Sequence, residues 1–166
     1  MVVRFCSIPE LSFGKVQFLS VKLGKDELSE FEKFDNKEFT EQHHLTERQI
    51  VYKTIEQIAY RGARPFFFRQ EGPAHALPGK VDSSIMDSNP DDFGIRLYCI
   101  LLREDLVLLL NGDVKTKHDP TQCPLVNRHF KNAKALARVL FKASADGSIR
   151  LSEKGIEIDD DFQIEI

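Results

Sequence analysis

Three basic residues, Arg96, Lys115 and Lys117, with His118 directly after them, are the side chains here whose types suit chemistry on a phosphate. An arginine grips phosphate oxygens through two parallel N–H donors and stays protonated throughout. Lysine adds a compact positive charge, and a histidine, with an ordinary pKa of about 6.5, can give or take a proton near neutral pH. Their positioning depends on residues 93–116, FGIRLYCILLREDLVLLLNGDVKT, in which the apolar runs Ile95–Leu102 and Leu106–Leu110 flank Arg103-Glu104-Asp105. That pattern predicts a β-hairpin, and five consecutive aliphatics in the second run predict a strand covered on both faces. Asn111-Gly112-Asp113 reads as the turn that ends this strand. Antiparallel pairing sets the start of the first strand beside the end of the second. Arg96, Lys115 and Lys117 are therefore expected at one end of the hairpin.

The elements around the hairpin follow from periodicity. Residues 13–23, FGKVQFLSVKL, alternate as a strand that Gly24 ends. Asp26 fits the N-cap of a short helix carrying Leu28, Phe31 and Phe34. Thr46 and Gln49 fit a capping box for a second helix with Ile50, Val51, Ile55, Ile58 and Ala59 on one face, stopping at Gly62. Phe66-Phe67-Phe68 with Arg69 reads as a strand. Residues 72–92 read as loop, with a few strand residues over 77–81. After Asp119-Pro120, Leu125–Ser144 carries Val126, Phe130, Ala133, Leu136, Ala137, Leu140 and Phe141 at helical spacing, with Arg128, Lys131, Lys134, Arg138 and Lys142 largely on the other side. Residues 149–166 alternate weakly and suggest one or two edge strands or an acidic tail. The order β-α-α-β-β-β followed by a C-terminal helix predicts an α+β fold, helices packed on a mainly antiparallel sheet. Residues 1–166 form a single domain on this reading, with a core over 13–117 and a C-terminal helix and acidic tail over 118–166.

The totals narrow the function classes. A chain of 166 residues, 42% hydrophobic, suits one domain with a substantial core. No apolar run approaches the roughly 20 residues of a membrane span, and 1–12 contain no apolar segment of signal-peptide length. Cys6, Cys99 and Cys123 are an odd number without metal-ligand spacing, which suits a reducing, cytoplasmic setting. The net charge of −3 is unevenly distributed. Asp26–Glu47 holds eight acids against Lys33 and Lys37, whereas Lys115–Lys142 holds seven bases against Asp119 alone. HxH, CxxC, HExxH, GxSxG and phosphate-binding glycine-loop patterns are absent, so neither a metal nor another cofactor is expected.

The residues Gly94-Ile95-Arg96-Leu97-Tyr98, then Leu106–Leu110, then Gly112 and Lys115, resemble the RelE/ParE toxin superfamily, in particular its HigB-like and phage Gp49-like branch. In that motif a strand arginine is followed two residues on by an aromatic, then by an aliphatic strand ending in glycine and lysines. The resemblance covers about 25 residues as a motif and Val16–Thr116 as an order of elements. It implies the toxin component of a toxin–antitoxin pair, an endoribonuclease that cleaves mRNA, often on the ribosome. A cognate antitoxin, such as a helix-turn-helix protein, would hold it inactive. Arg96 would contact the scissile phosphate, assisted by Lys115 and Lys117. His118 is the candidate acid or base, and Lys80 a second candidate for that role. Arg69, Tyr98 and Arg128 are candidates for substrate binding.

Cleavage of RNA by attack of a 2′-oxygen on the adjacent phosphate needs such a set: a base, cations on the pentacoordinate phosphate, and an acid for the leaving oxygen. Each residue also has a plain structural role open to it. Arg96 could pair with an acid across the sheet, and Tyr98 could be core. A chain this acidic also suits a second reading, a non-catalytic relative that binds protein or nucleic acid.

Overall fold

The computed structural model describes residues 1–79 and 93–166. Its centre is a six-stranded sheet in the order β1-β2-β6-β5-β4-β3. The strands are β1 (Val3–Ser7), β2 (Gln17–Leu23), β3 (Arg69–Glu71), β4 (Ala74–Leu77), β5 (Gly94–Arg103) and β6 (Leu106–Lys115). All neighbours run antiparallel except β2 and β6, which are parallel. The expected α+β class with a mainly antiparallel sheet is therefore observed. Two 10-residue strands, β5 and β6, form its middle, and both are covered on both faces as their unbroken apolar runs require.

One face packs under α1 (Glu30–Asp35) and α2 (Gln42–Arg61), around Phe18, Phe34, Ile55, Ile58, Leu97 and Leu109. The other packs under α3 (Asn127–Asp146) and the separate hairpin β7 (Ile149–Ser152)–β8 (Gly155–Ile158), around Tyr98, Ile100, Leu108, Leu136 and Leu140. The 3.6-residue period of α3 is what buries one side of it and leaves the other in water. The end of the chain closes the sheet's outer edge, where Val3 N donates to Ile164 O and Val2 bridges Glu165. Among the described residues no helix is long and apolar enough to cross a membrane.

Several local expectations are corrected. Asn111-Gly112-Asp113 is not a turn; β6 runs through it to Lys115. The three phenylalanines do not form a strand, because Pro65 opens a 3-10 turn over Pro65–Phe67 and pairing starts only at Arg69. Ser29, not Asp26, caps α1; its side chain accepts from Glu32 N while Glu32 reaches back to Ser29 N, a complete capping box. The second helix begins four residues before Thr46, whose hydroxyl donates to Gln42 O inside the helix. Strand residues in the loop lie at Ala74–Leu77, ahead of the expected position.

Candidate nucleic-acid interface

The geometry of the candidate residues is set by an irregularity in β6. Leu97 pairs with Gly112 and Cys99 with Leu109, so Tyr98 alone faces the two residues Leu110 and Asn111. Such a bulge resets the alternation of the strand. Below it, Leu109 faces α2 and Leu110 faces α3. Beyond it, Gly112 pairs with Leu97 on the α2 face, which sends Asn111, Asp113 and Lys115 to the α3 face together with Arg96. The bulge has no room for a larger residue: a Cβ on Gly112 would stand 1.7 Å from the Arg96 carbonyl oxygen.

Arg96 and Lys115 do meet on one face, but not as direct partners. Arg96 stands opposite Asp113 and Lys115 opposite Gly94, making the two cations diagonal neighbours. Asp113 accepts from Lys37 Nζ at 3.2 Å. Arg96 is 1% exposed and donates to the Ile95 carbonyl, and Lys115 is 7% exposed. Tyr98 is wholly buried, edge-on to Phe130 of α3, and offers no surface on which a base could stack. Its hydroxyl has no hydrogen-bond partner among the described residues. Burial, and next the charge of Glu71, push that phenol well above the usual tyrosine range. Arg69 lies two strands away on the same face and donates to the Pro78 carbonyl at 2.8 Å.

The remaining candidates separate from this buried group. Lys117 and His118 are exposed in the segment after β6, where the imidazole packs 5.3 Å from the Phe93 ring. Arg128 is exposed in the first turn of α3. Lys80 lies outside the described residues. The expected set thus divides into a sealed part on the strands and an open part on the segment leading into α3.

The open part continues along the helix. Arg128, Lys131, Lys134, Arg138 and Lys142 recur at three- and four-residue spacing and fall within roughly 120° of its circumference, opposite the buried face. The stripe is about 21 Å long at 1.5 Å per residue. None of its members forms an ion pair among the described residues. Lys134 Nζ lies 4.7 Å from the Phe130 ring centroid, leaving its charge over an apolar surface.

A second group of residues escaped the sequence reading. Between α1, the β6 bulge and α3 lies a polar cavity of about 270 Å³, lined by Glu30, Lys33, Asn111, Arg128, His129 and Asn132 among others. Burial, and then the nearby Lys37 charge, depress the His129 pKa to about 4, so the imidazole is neutral at pH 7. A signal for it existed, because His129 falls on the apolar face of an otherwise regular amphipathic helix and Asn132 at its border. Asn111 was hidden by its likeness to a turn residue.

Glu41, His43 and His44 could each offer a ligand atom to one ion, all within 4.8 Å of one another, at the exposed start of α2. Compared with protein-family models, curated proteins and solved structures, the chain matches none.

Proposed function

We propose that this protein is an RNA-binding module of RelE-like build, which docks single-stranded RNA along α3. The observation that carries the reading is the stripe of five cations over residues 128–142, free of ion pairs among the described residues, on a chain whose net charge is negative. A cationic line of this length matches the run of phosphates along a strand and releases its counterions on binding. Lys117 and His118 are exposed in the segment that leads from the sheet to this helix.

A second reading is the toxin function itself: a metal-independent mRNA endoribonuclease held by a cognate antitoxin, with mRNA on the ribosome as its substrate. It is favoured by Arg96 and Lys115 sharing a face, with His118 three residues beyond Lys115. In it Arg96 and Lys115 would stabilise the phosphorane and His118 would move the proton. It stands second because a guanidinium 1% exposed does not reach a phosphate.

Induced expression in a bacterial host, paired with RNA binding in vitro, separates the two. Lys117→Ala and His118→Ala are the variants of choice, since both side chains are exposed and can be removed without opening the core. Growth arrest with mRNA loss, relieved by either variant, would put the nuclease first. Harmless expression of every form, with RNA still bound in vitro, is the outcome expected of the binding module. Absence of RNA binding would remove both.

A further inference from the structure

We propose that the cavity between α1, the β6 bulge and α3 is a pocket for an unpaired guanine base, with Arg128 at its rim holding the adjoining phosphate. The inference rests on the RNA-binding reading for its source of guanine, but the pocket's chemistry is argued from its own walls.

Its volume, about 270 Å³, is just below the roughly 300–1,000 Å³ found for small-ligand sites, which suits one base and not a whole cofactor. Glu30 is buried at 6% exposed. One of its carboxylate oxygens accepts from Lys33 Nζ, and the other accepts from no described group. Asn111 is 5% exposed; its side-chain oxygen accepts from Gly112 N at 2.8 Å, so its amide nitrogen is left as a donor toward the cavity. Asn132, half-buried on the α3 wall, makes no side-chain hydrogen bond among the described residues.

Those groups amount to one open carboxylate oxygen and two amide donors. Guanine is the base that presents adjacent N1–H and N2–H donors to a carboxylate while offering O6 and N7 to N–H groups. Adenine has no donor at N1 to meet Glu30, cytosine has none at N3, and uracil brings the single donor N3–H where guanine brings two. The neutral His129 ring adds a flat wall without adding a charge that would compete for Glu30. Recognition of a splayed base by its edge, with phosphates held by neighbouring cations, is the usual mode for single-stranded RNA. Lys33 also binds Asp26, so the acid at the rim is already compensated where the phosphate would pass.

The test titrates the full chain with 5′-GMP, 5′-IMP and 5′-AMP, and in parallel with a uridine oligonucleotide carrying or lacking one central guanosine. GMP should bind at least about ten-fold more tightly than AMP, with IMP, which lacks the 2-amino group, between them. Asn132→Ala and Glu30→Gln should each abolish the preference and leave the all-uridine oligonucleotide unaffected. Asn132→Ala serves where Glu30→Gln disturbs the fold. Equal binding of GMP and AMP, or a preference that survives both substitutions, would overturn the pocket while oligonucleotide binding kept the RNA reading intact. A GMP preference without any oligonucleotide binding would support the pocket and remove the RNA reading instead.

Discussion

The two faces of the central sheet are built from the same strands and yet have opposite characters. The face under α2 is apolar along its length: Phe18, Leu97, Cys99, Val107, Leu109 and Val114 meet Ile55 and Ile58, with Ser20 accepting from Phe31 N to anchor α1. The face under α3 is apolar at one end, through Ile100, Leu106, Leu108 and Leu140, and polar at the other, through Arg96, Asn111, Asp113 and Lys115. A single extra residue in β6 makes the difference. Without the bulge the strand would keep its alternation, and Asn111, Asp113 and Lys115 would point into the apolar layer under α2. The lesson is that one break in register can collect charged groups into a site without weakening the core behind it.

Four experiments break or sharpen this contrast, and the largest effect is expected at the bulge itself. Gly112→Ala places a methyl group 1.7 Å from a backbone oxygen, so the strands must part, and denaturant unfolding should show a loss of at least about 3 kcal/mol. A loss under 1 kcal/mol would mean that the bulge is not where the pairing is fixed. On the apolar face, Leu109→Ala should cost about 3 kcal/mol by transfer and cavity terms together. That figure is the yardstick for an ordinary core position.

The third effect depends on pH. His129 is held neutral in the fold with its pKa near 4, whereas the unfolded imidazole titrates near 6.5, so the unfolded chain binds more protons between those values. The group's contribution is fully present above pH 6.5 and is lost as the pH falls toward 4. Discounted for its partial exposure, the loss is on the order of 1–2 kcal/mol. Urea midpoints at pH 7 and pH 4.5 should show it in the native sequence, and His129→Asn should shrink the difference between them.

Smallest is Tyr98→Phe, which deletes a buried hydroxyl without a partner among the described residues and should be neutral or stabilising by up to about 1 kcal/mol. A clear destabilisation would show that the phenol belongs to the polar end of the face and not to the apolar one.

Much of this architecture is legible in the sequence, and the boundary has physical causes. The β5–β6 hairpin, α2 and α3 are announced by long apolar runs or sustained helical periods, which local sequence carries. The meeting of Arg96 with Lys115 also follows from strand direction alone. What local sequence does not carry is the register between strands. Asn111-Gly112-Asp113 has turn composition, yet pairing with Leu97 and Arg96 keeps it in the sheet. β1 was missed for a similar reason. Its five residues include Arg4 and Cys6, and only pairing with β2 and the chain's end makes it a strand. The cavity residues come from three distant segments, so no spacing rule joins Glu30, Asn111 and Asn132. Burial is equally invisible: Arg96, chosen for its chemistry, is among the most enclosed side chains in the molecule.

The central claim is that the exposed stripe of α3 is a phosphate-binding surface, and salt dependence tests it most directly. Affinity for a single-stranded oligonucleotide should be measured by fluorescence anisotropy from about 50 to 200 mM salt, for the native chain and for Lys131→Gln/Arg138→Gln. Both side chains are exposed, so the double substitution leaves the core untouched. The predicted result is a log–log slope made shallower by about 1.4, or about 0.7 for each lost contact, together with weaker binding. Identical slopes for the two proteins, or no binding by the native chain at low salt, would contradict the account.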